Sequence, residues 1–152
     1  MQNDEAGDVF SKDRENGNSQ PPTAKSQQNP KTQNPTAPLQ PPWDIRERSF
    51  EYAVRVLDVT GKLPYLPEAN VAREQLAESC TSVGANIEEA DGAVTRPDKM
   101  KSFVHSRKEA RESKYWLRII ERKWIATPEV TALIRESQEI VNILSTIIDR
   151  LA

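Results

Sequence analysis

Between Ile45 and Leu151, apolar residues return every three or four positions, in four runs separated by glycine and proline. That spacing is the period of one face of an α-helix, not the alternation of a strand. Four amphipathic helices joined by short connections each have a stripe to bury, and the arrangement that buries all four is a bundle. The expectation is an all-α protein: an antiparallel up-down-up-down four-helix bundle over residues 43–152.

Cap residues mark the ends of the runs. Asp44 is placed as the N-cap of the first helix, with Glu47 three residues on as its capping-box partner. Ile45, Ser49, Ala53, Val56 and Thr60 form its predicted stripe, widened by Phe50, Val54 and Leu57. Gly61 stops it, and Pro64 and Pro67 keep the connection non-helical. The second helix is predicted from about Glu68 to Ala90, with Ala72, Leu76, Cys80, Val83, Ile87 and Ala90 inward.

Its inner face is small: Ser79, Cys80, Ser82, Gly84 and Ala85. Glycine inside a helix costs about 1 kcal/mol against alanine. Gly84 therefore predicts a tight helix crossing, and Asn86 beside it a buried amide bonding across helices.

Thr95 and Asp98 cap the third helix, which runs to about Trp124 with Pro97 in its first turn. Phe103, Ser106, Ala110, Ser113, Leu117, Ile120 and Trp124 form its inner stripe, and Trp116 lies on the flank. Thr127–Pro128–Glu129 opens the fourth helix. It carries the strongest periodicity in the chain: Val130, Leu133, Ile134, Ser137, Ile140, Val141, Leu144, Ile147, Ile148 and Leu151.

Residues 1–42 read differently. They are rich in Gln, Asn and Pro and poor in apolar side chains. Such a segment cannot offset the entropy of ordering and is expected to be a disordered tail. No stretch is apolar enough to span a membrane, and the start lacks the apolar centre of a signal peptide. With Cys80 as the sole cysteine, no internal disulfide can form. A cytoplasmic protein is expected.

Formal net charge is −2, so bulk charge does not point to nucleic acid. Locally it is sorted. Residues 68–91 hold six acids and one base, whereas residues 96–124 hold ten bases and four acids. Arg107, Arg111, Lys114, Arg118 and Arg122 fall on one face of the third helix, about 115° from its apolar stripe. Three uses compete for this basic stripe: a solvated face paired within its own helix, for instance through Glu121; contact with the acidic face of another copy; or phosphate contact with RNA or DNA, for which Tyr115 supplies a nearby ring.

On the other flank, His105, Glu109, Glu112 and Trp116 are spaced four, three and four. A dimetal bundle needs two histidines on separate helices, and His105 is the only one in the chain. No metal and no cofactor is expected. Cys80 sits on the apolar face of its helix, away from any base that would activate it. Nothing in the residues forms a catalytic constellation, so no small-molecule substrate is expected and the chain reads as non-enzymatic.

The run SCTSVGANIEEA (Ser79 to Ala90), followed by KEARESKYWLRII (Lys108 to Ile120), resembles the four-helix-bundle family named for proteins encoded in intervening sequences of bacterial 23S rRNA. DIRERSFEYAVRVLDV (Asp44 to Val59) resembles its first helix. The positions that carry the resemblance are Ser82, Gly84, Ala85, Asn86 and Glu89, then Glu109, Ala110, Glu112, Tyr115, Trp116 and Leu117. The resemblance implies a left-handed up-down bundle assembled as a homopentamer. It also implies kinship with accessory proteins of diversity-generating retroelements, which bind a reverse transcriptase and nucleic acid. Departures fall at Glu78, at Lys99–Met100 and at His105. A homo-oligomeric interaction module is therefore the expected function, with an RNA- or DNA-binding accessory factor as the alternative.

Overall fold

The computed structural model describes residues 44–152. The expected tail, and Trp43 at the head of the bundle, lie outside the described residues. Four helices follow in order: α1 (Ile45–Thr60), α2 (Pro67–Gly92), α3 (Arg96–Lys123) and α4 (Pro128–Leu151). Each packs on its neighbours in the chain, and α1 also packs on α4, which closes the up-down arrangement. The side formed by α1 and α2 is therefore opposite the side formed by α3 and α4.

The helix starts follow the sequence closely. The Asp44 carboxylate accepts from the Arg46 backbone N–H at 2.9 Å, Thr95 accepts from Asp98 N, and Thr127 accepts from Val130 N. Each satisfies an amide that the helix itself leaves unpaired. Pro67, expected in the connection, is instead the first residue of α2, where its missing donor is harmless. Cross-links tie the helix ends together. Arg46 bridges its own cap to Asp91 at the end of α2 at 2.8 Å, Lys62 reaches Glu129 at 3.0 Å, and Arg96 Nε donates to the Leu151 carbonyl at 2.8 Å.

The core takes in Leu76, Cys80, Val83, Ile87, Leu117, Ile120, Leu133, Ile140 and Leu144. The inward faces of α2, α3 and α4 match the periodicity, except that Trp124, Ile134, Ile147 and Leu151 are only half-buried.

Helix α1 matches in part: Ser49, Val56 and Thr60 of its expected stripe are buried and Ile45 and Ala53 pack partly buried against the core, but the expected widening fails. Its buried residues are Arg48, Ser49, Tyr52, Val56, Val59 and Thr60, whereas Phe50, Val54 and Leu57 are exposed. The buried face extends away from Phe50, Val54 and Leu57 and towards Arg48 and Tyr52, two residues with polar ends that find partners inside. The Arg48 guanidinium forks onto the Glu136 carboxylate of α4, Nε to Oε1 and Nη2 to Oε2 at 3.0 Å. The Tyr52 hydroxyl lies 2.7 Å from Ser137 Oγ. Because Ser137 donates its own proton to the Leu133 carbonyl, Tyr52 is the donor. With these bonds made, the large Tyr52 ring can be buried, and the second apolar stripe of α1 is left outside.

The tight crossing expected at Gly84 is absent. A methyl group there would meet only Ser49 Oγ, at 3.5 Å, an ordinary contact, and no backbone approaches. The close approach lies between α2 and α3 through small polar residues. Ser106 Oγ donates to the Val83 carbonyl at 2.8 Å, and Ser113 Oγ to Ser79 Oγ at 3.0 Å. Asn86 is half-buried and donates to the Ser82 carbonyl of its own helix at 2.8 Å, not across to another.

Candidate interaction surfaces

The exposed stripe of α1 leaves three large apolar side chains, Phe50, Val54 and Leu57, outside the core. Residues 50, 54 and 57 repeat at helical spacing, and at 100° per residue they lie about 160° around the helix from Tyr52, Val56 and Val59. A helix with apolar residues on two opposite sides cannot bury both against one core. Phe50 is 59% exposed. Beside it runs a cleft of about 280 Å³ between α1 and α2, lined on α1 by Ser49, Phe50, Ala53, Val54 and Leu57 and on α2 by Thr81, Gly84 and Ala85, with Arg46 and Glu88 at one end.

This cleft takes in two of the small residues of α2, Gly84 and Ala85, while Ser79 and Cys80 are buried in the core. Gly84 is half-buried and Ala85 exposed, so they form the floor of an outward-facing groove and not part of the core. Ser82 is half-buried and Glu89 exposed. Of the positions carrying the family resemblance, only Ala110 and Leu117 are fully buried. The warning sign was present in the sequence: α1 shows two apolar stripes, and one of them had to be left over.

On the opposite side, α3 presents the basic stripe. Arg111, Arg118 and Arg122 are exposed, while Arg107 and Lys114 lean onto α4, donating to Ser145 Oγ at 3.4 Å and to Gln138 Oε1 at 2.7 Å. None of the five enters an ion pair among the described residues. Glu121, which one of the three readings offered as an intrahelical partner for Arg118 and Arg122, forms no ion pair with them among the described residues and accepts from Thr131 Oγ1 of α4. Two clefts open here. One of about 290 Å³ is lined by Arg111, Lys114, Tyr115, Arg118 and Gln138; the other, of about 660 Å³, by Tyr115, Arg118, Ile119, Glu121, Arg122 and Lys123.

The third flank carries Glu109, half-buried, with Glu112 and His105 exposed and the Trp116 indole N–H 3.5 Å from Glu112 Oε1. Burial raises the Glu109 carboxyl above its ordinary range; the carboxylates of Glu112 and Glu78 push the same way, against Lys108 and His105. Among the described residues no three His, Cys, Asp or Glu side chains gather as metal ligands would. Cys80 is buried, and burial pushes its thiol up to about 12, so it stays protonated and poorly nucleophilic near neutral pH. No described helix is long and apolar enough to cross a membrane.

Comparison with known proteins agrees with this architecture. The family model of the 23S rRNA-intervening sequence protein matches residues 43–146. No curated protein matches. A crystal structure of a protein of unknown function from the S23 ribosomal protein family of Bacteroides thetaiotaomicron is 33% identical, with a TM-score of 0.64, covering 69% of this chain and 98% of its own. Neither name describes an enzyme.

Proposed function

Because the chain belongs to the 23S rRNA-intervening sequence protein family, a family of helical bundles, we propose that it acts as a self-associating scaffold and not as a catalyst. The observation that carries this reading is the outward apolar groove: Phe50, Val54 and Leu57 form a ridge beside the small floor of Gly84 and Ala85. A ridge next to a small-residue floor is self-complementary: the ridge of each of two copies can fill the floor of the other about a two-fold axis. Contiguous apolar surface of this kind is costly to leave in water and marks a binding face. If the contact is head-to-tail and its rotation closes, the product is a ring. The homopentamer implied by the family resemblance would need such a head-to-tail contact, with the ridge of one copy meeting a different surface of the next.

The experiment is the molar mass of the full chain by light scattering, compared with Val54→Lys. The reading requires wild type to be a discrete multimer of the 17.2 kDa chain and Val54→Lys to be a smaller but fully helical species. Equal masses for the two would refute the groove as the contact.

A second reading is favoured by one observation, the absence of carboxylate partners for Arg111, Arg118 and Arg122 among the described residues. It makes the α3–α4 side a nucleic-acid face, in keeping with the implied kinship to retroelement accessory proteins. The two readings are compatible, since assembly through α1 and α2 leaves the opposite side open.

A further inference from the structure

We infer that the α3–α4 side takes single-stranded nucleic acid, with one base stacked on the ring of Tyr115 and the flanking phosphates held by Arg111, Arg118 and Arg122. This rests on the second reading above and goes beyond it by naming the strand state and the stacking residue.

Tyr115 is 57% exposed, yet its ring is held in place edge-on to Trp116, with centroids 5.4 Å apart and planes at 73°. It is shared by both basic clefts. The ring therefore has cations on both sides along the helix: Arg111 and Lys114 before it, Arg118, Arg122 and Lys123 after it. One carboxylate, Glu121, also lines the larger cleft; it accepts from Thr131 Oγ1 and keeps its negative charge, set against the three cations Arg118, Arg122 and Lys123 there.

At 1.5 Å per residue, the steps Arg111–Lys114–Arg118–Arg122 are about 4.5, 6 and 6 Å along the axis. Charges at that pitch can track successive phosphates of an extended strand. An aromatic ring set among them adds base stacking, which tolerates any sequence.

The strand state follows from the same geometry. In a duplex the faces of the bases are already stacked, so a ring projecting from a convex helix surface finds nothing to stack on; an unpaired base can splay onto it. A duplex would use the arginines alone. An acidic peptide would do the same, gaining charge contacts but nothing from Tyr115. Repetition of the face around a multimer would let one strand touch several copies and strengthen binding without new contacts.

The test is fluorescence anisotropy of the full chain with a labelled mixed-sequence oligonucleotide, alone and as a duplex, at low and moderate salt. Wild type should prefer the single strand. Tyr115→Ala should weaken single-strand binding about 5- to 150-fold, the equivalent of about 1–3 kcal/mol for one stacked base. It should leave duplex binding and helicity unchanged, and Tyr115→Trp should restore the affinity. Arg111→Glu with Arg118→Glu should abolish binding of both. If Tyr115→Ala binds both forms like wild type while the double arginine variant binds neither, the stacking inference falls and the basic face stands. If wild type binds neither form, both fall.

Discussion

Arg48 of α1 and Glu136 of α4 meet inside the bundle as a two-pronged ion pair, each side chain about a tenth exposed. They join the two helices most distant in sequence and set the rotation of α1. That rotation buries Tyr52 and turns Phe50, Val54 and Leu57 outward. The proposed assembly surface thus depends on a polar contact on the other side of the same helix.

Removing one partner leaves a charge buried without compensation, which costs about 3–5 kcal/mol, whereas replacing both with apolar residues of similar volume is often close to neutral. Glu136→Ala should therefore lower stability by several kcal/mol, and Arg48→Met with Glu136→Leu by much less. Urea unfolding midpoints measure this. A double variant no more stable than the single one would show that the pair contributes net stability beyond satisfying itself.

Substitutions at Gly84 test packing within the protomer separately from the proposed packing between protomers. Since a methyl group there meets only Ser49 Oγ at 3.5 Å, Gly84→Ala should leave the fold intact and add up to about 1 kcal/mol of helix propensity. Gly84→Leu should keep full helicity but lower the assembled mass, because the bulk projects into the groove. Circular dichroism and light scattering on both variants check this. Loss of helicity in Gly84→Ala would mean that a backbone does approach that position.

Most of the fold was legible in the sequence, and for identifiable reasons. In α2, α3 and α4 each apolar stripe is single, so periodicity and burial coincide. Asp44, Thr95 and Thr127 announced the helix starts because a cap is a local bond. The failures lie where the deciding partner is remote. Nothing near Arg48 or Tyr52 reveals that Glu136 and Ser137, more than eighty residues on, will accept their protons. Gly84 reads in the sequence as the site of a tight helix crossing; the structure instead places it on the floor of an outward groove, a difference that one sequence does not carry. The basic stripe was visible from spacing alone; that Glu121 accepts from Thr131 of α4 and forms no ion pair with Arg118 or Arg122 among the described residues was not.

The Glu109 carboxyl predicts a pH effect of definite sign. Its folded pKa is raised by burial and by Glu112 and Glu78, so ionising it disfavours the folded state. The penalty is fully present above the raised folded value. It fades as pH falls through that value and is gone below the ordinary value of 4.5. Glu109→Gln should therefore raise the melting temperature at neutral pH, with the gain shrinking towards pH 4. A gain that grows on acidification would contradict the assigned environment.

The central claim is that copies of this chain join through the apolar groove of α1 and α2, and the most direct measurement is the molar mass of the full chain at low and at high salt. An apolar contact survives salt, whereas pairing of the basic α3 stripe with an acidic face of a neighbour is screened by it. The account predicts one discrete multimer, of unchanged mass, at about 0.1 M and about 1 M salt. A 17.2 kDa monomer at both, or a multimer that dissolves as salt rises, would contradict it.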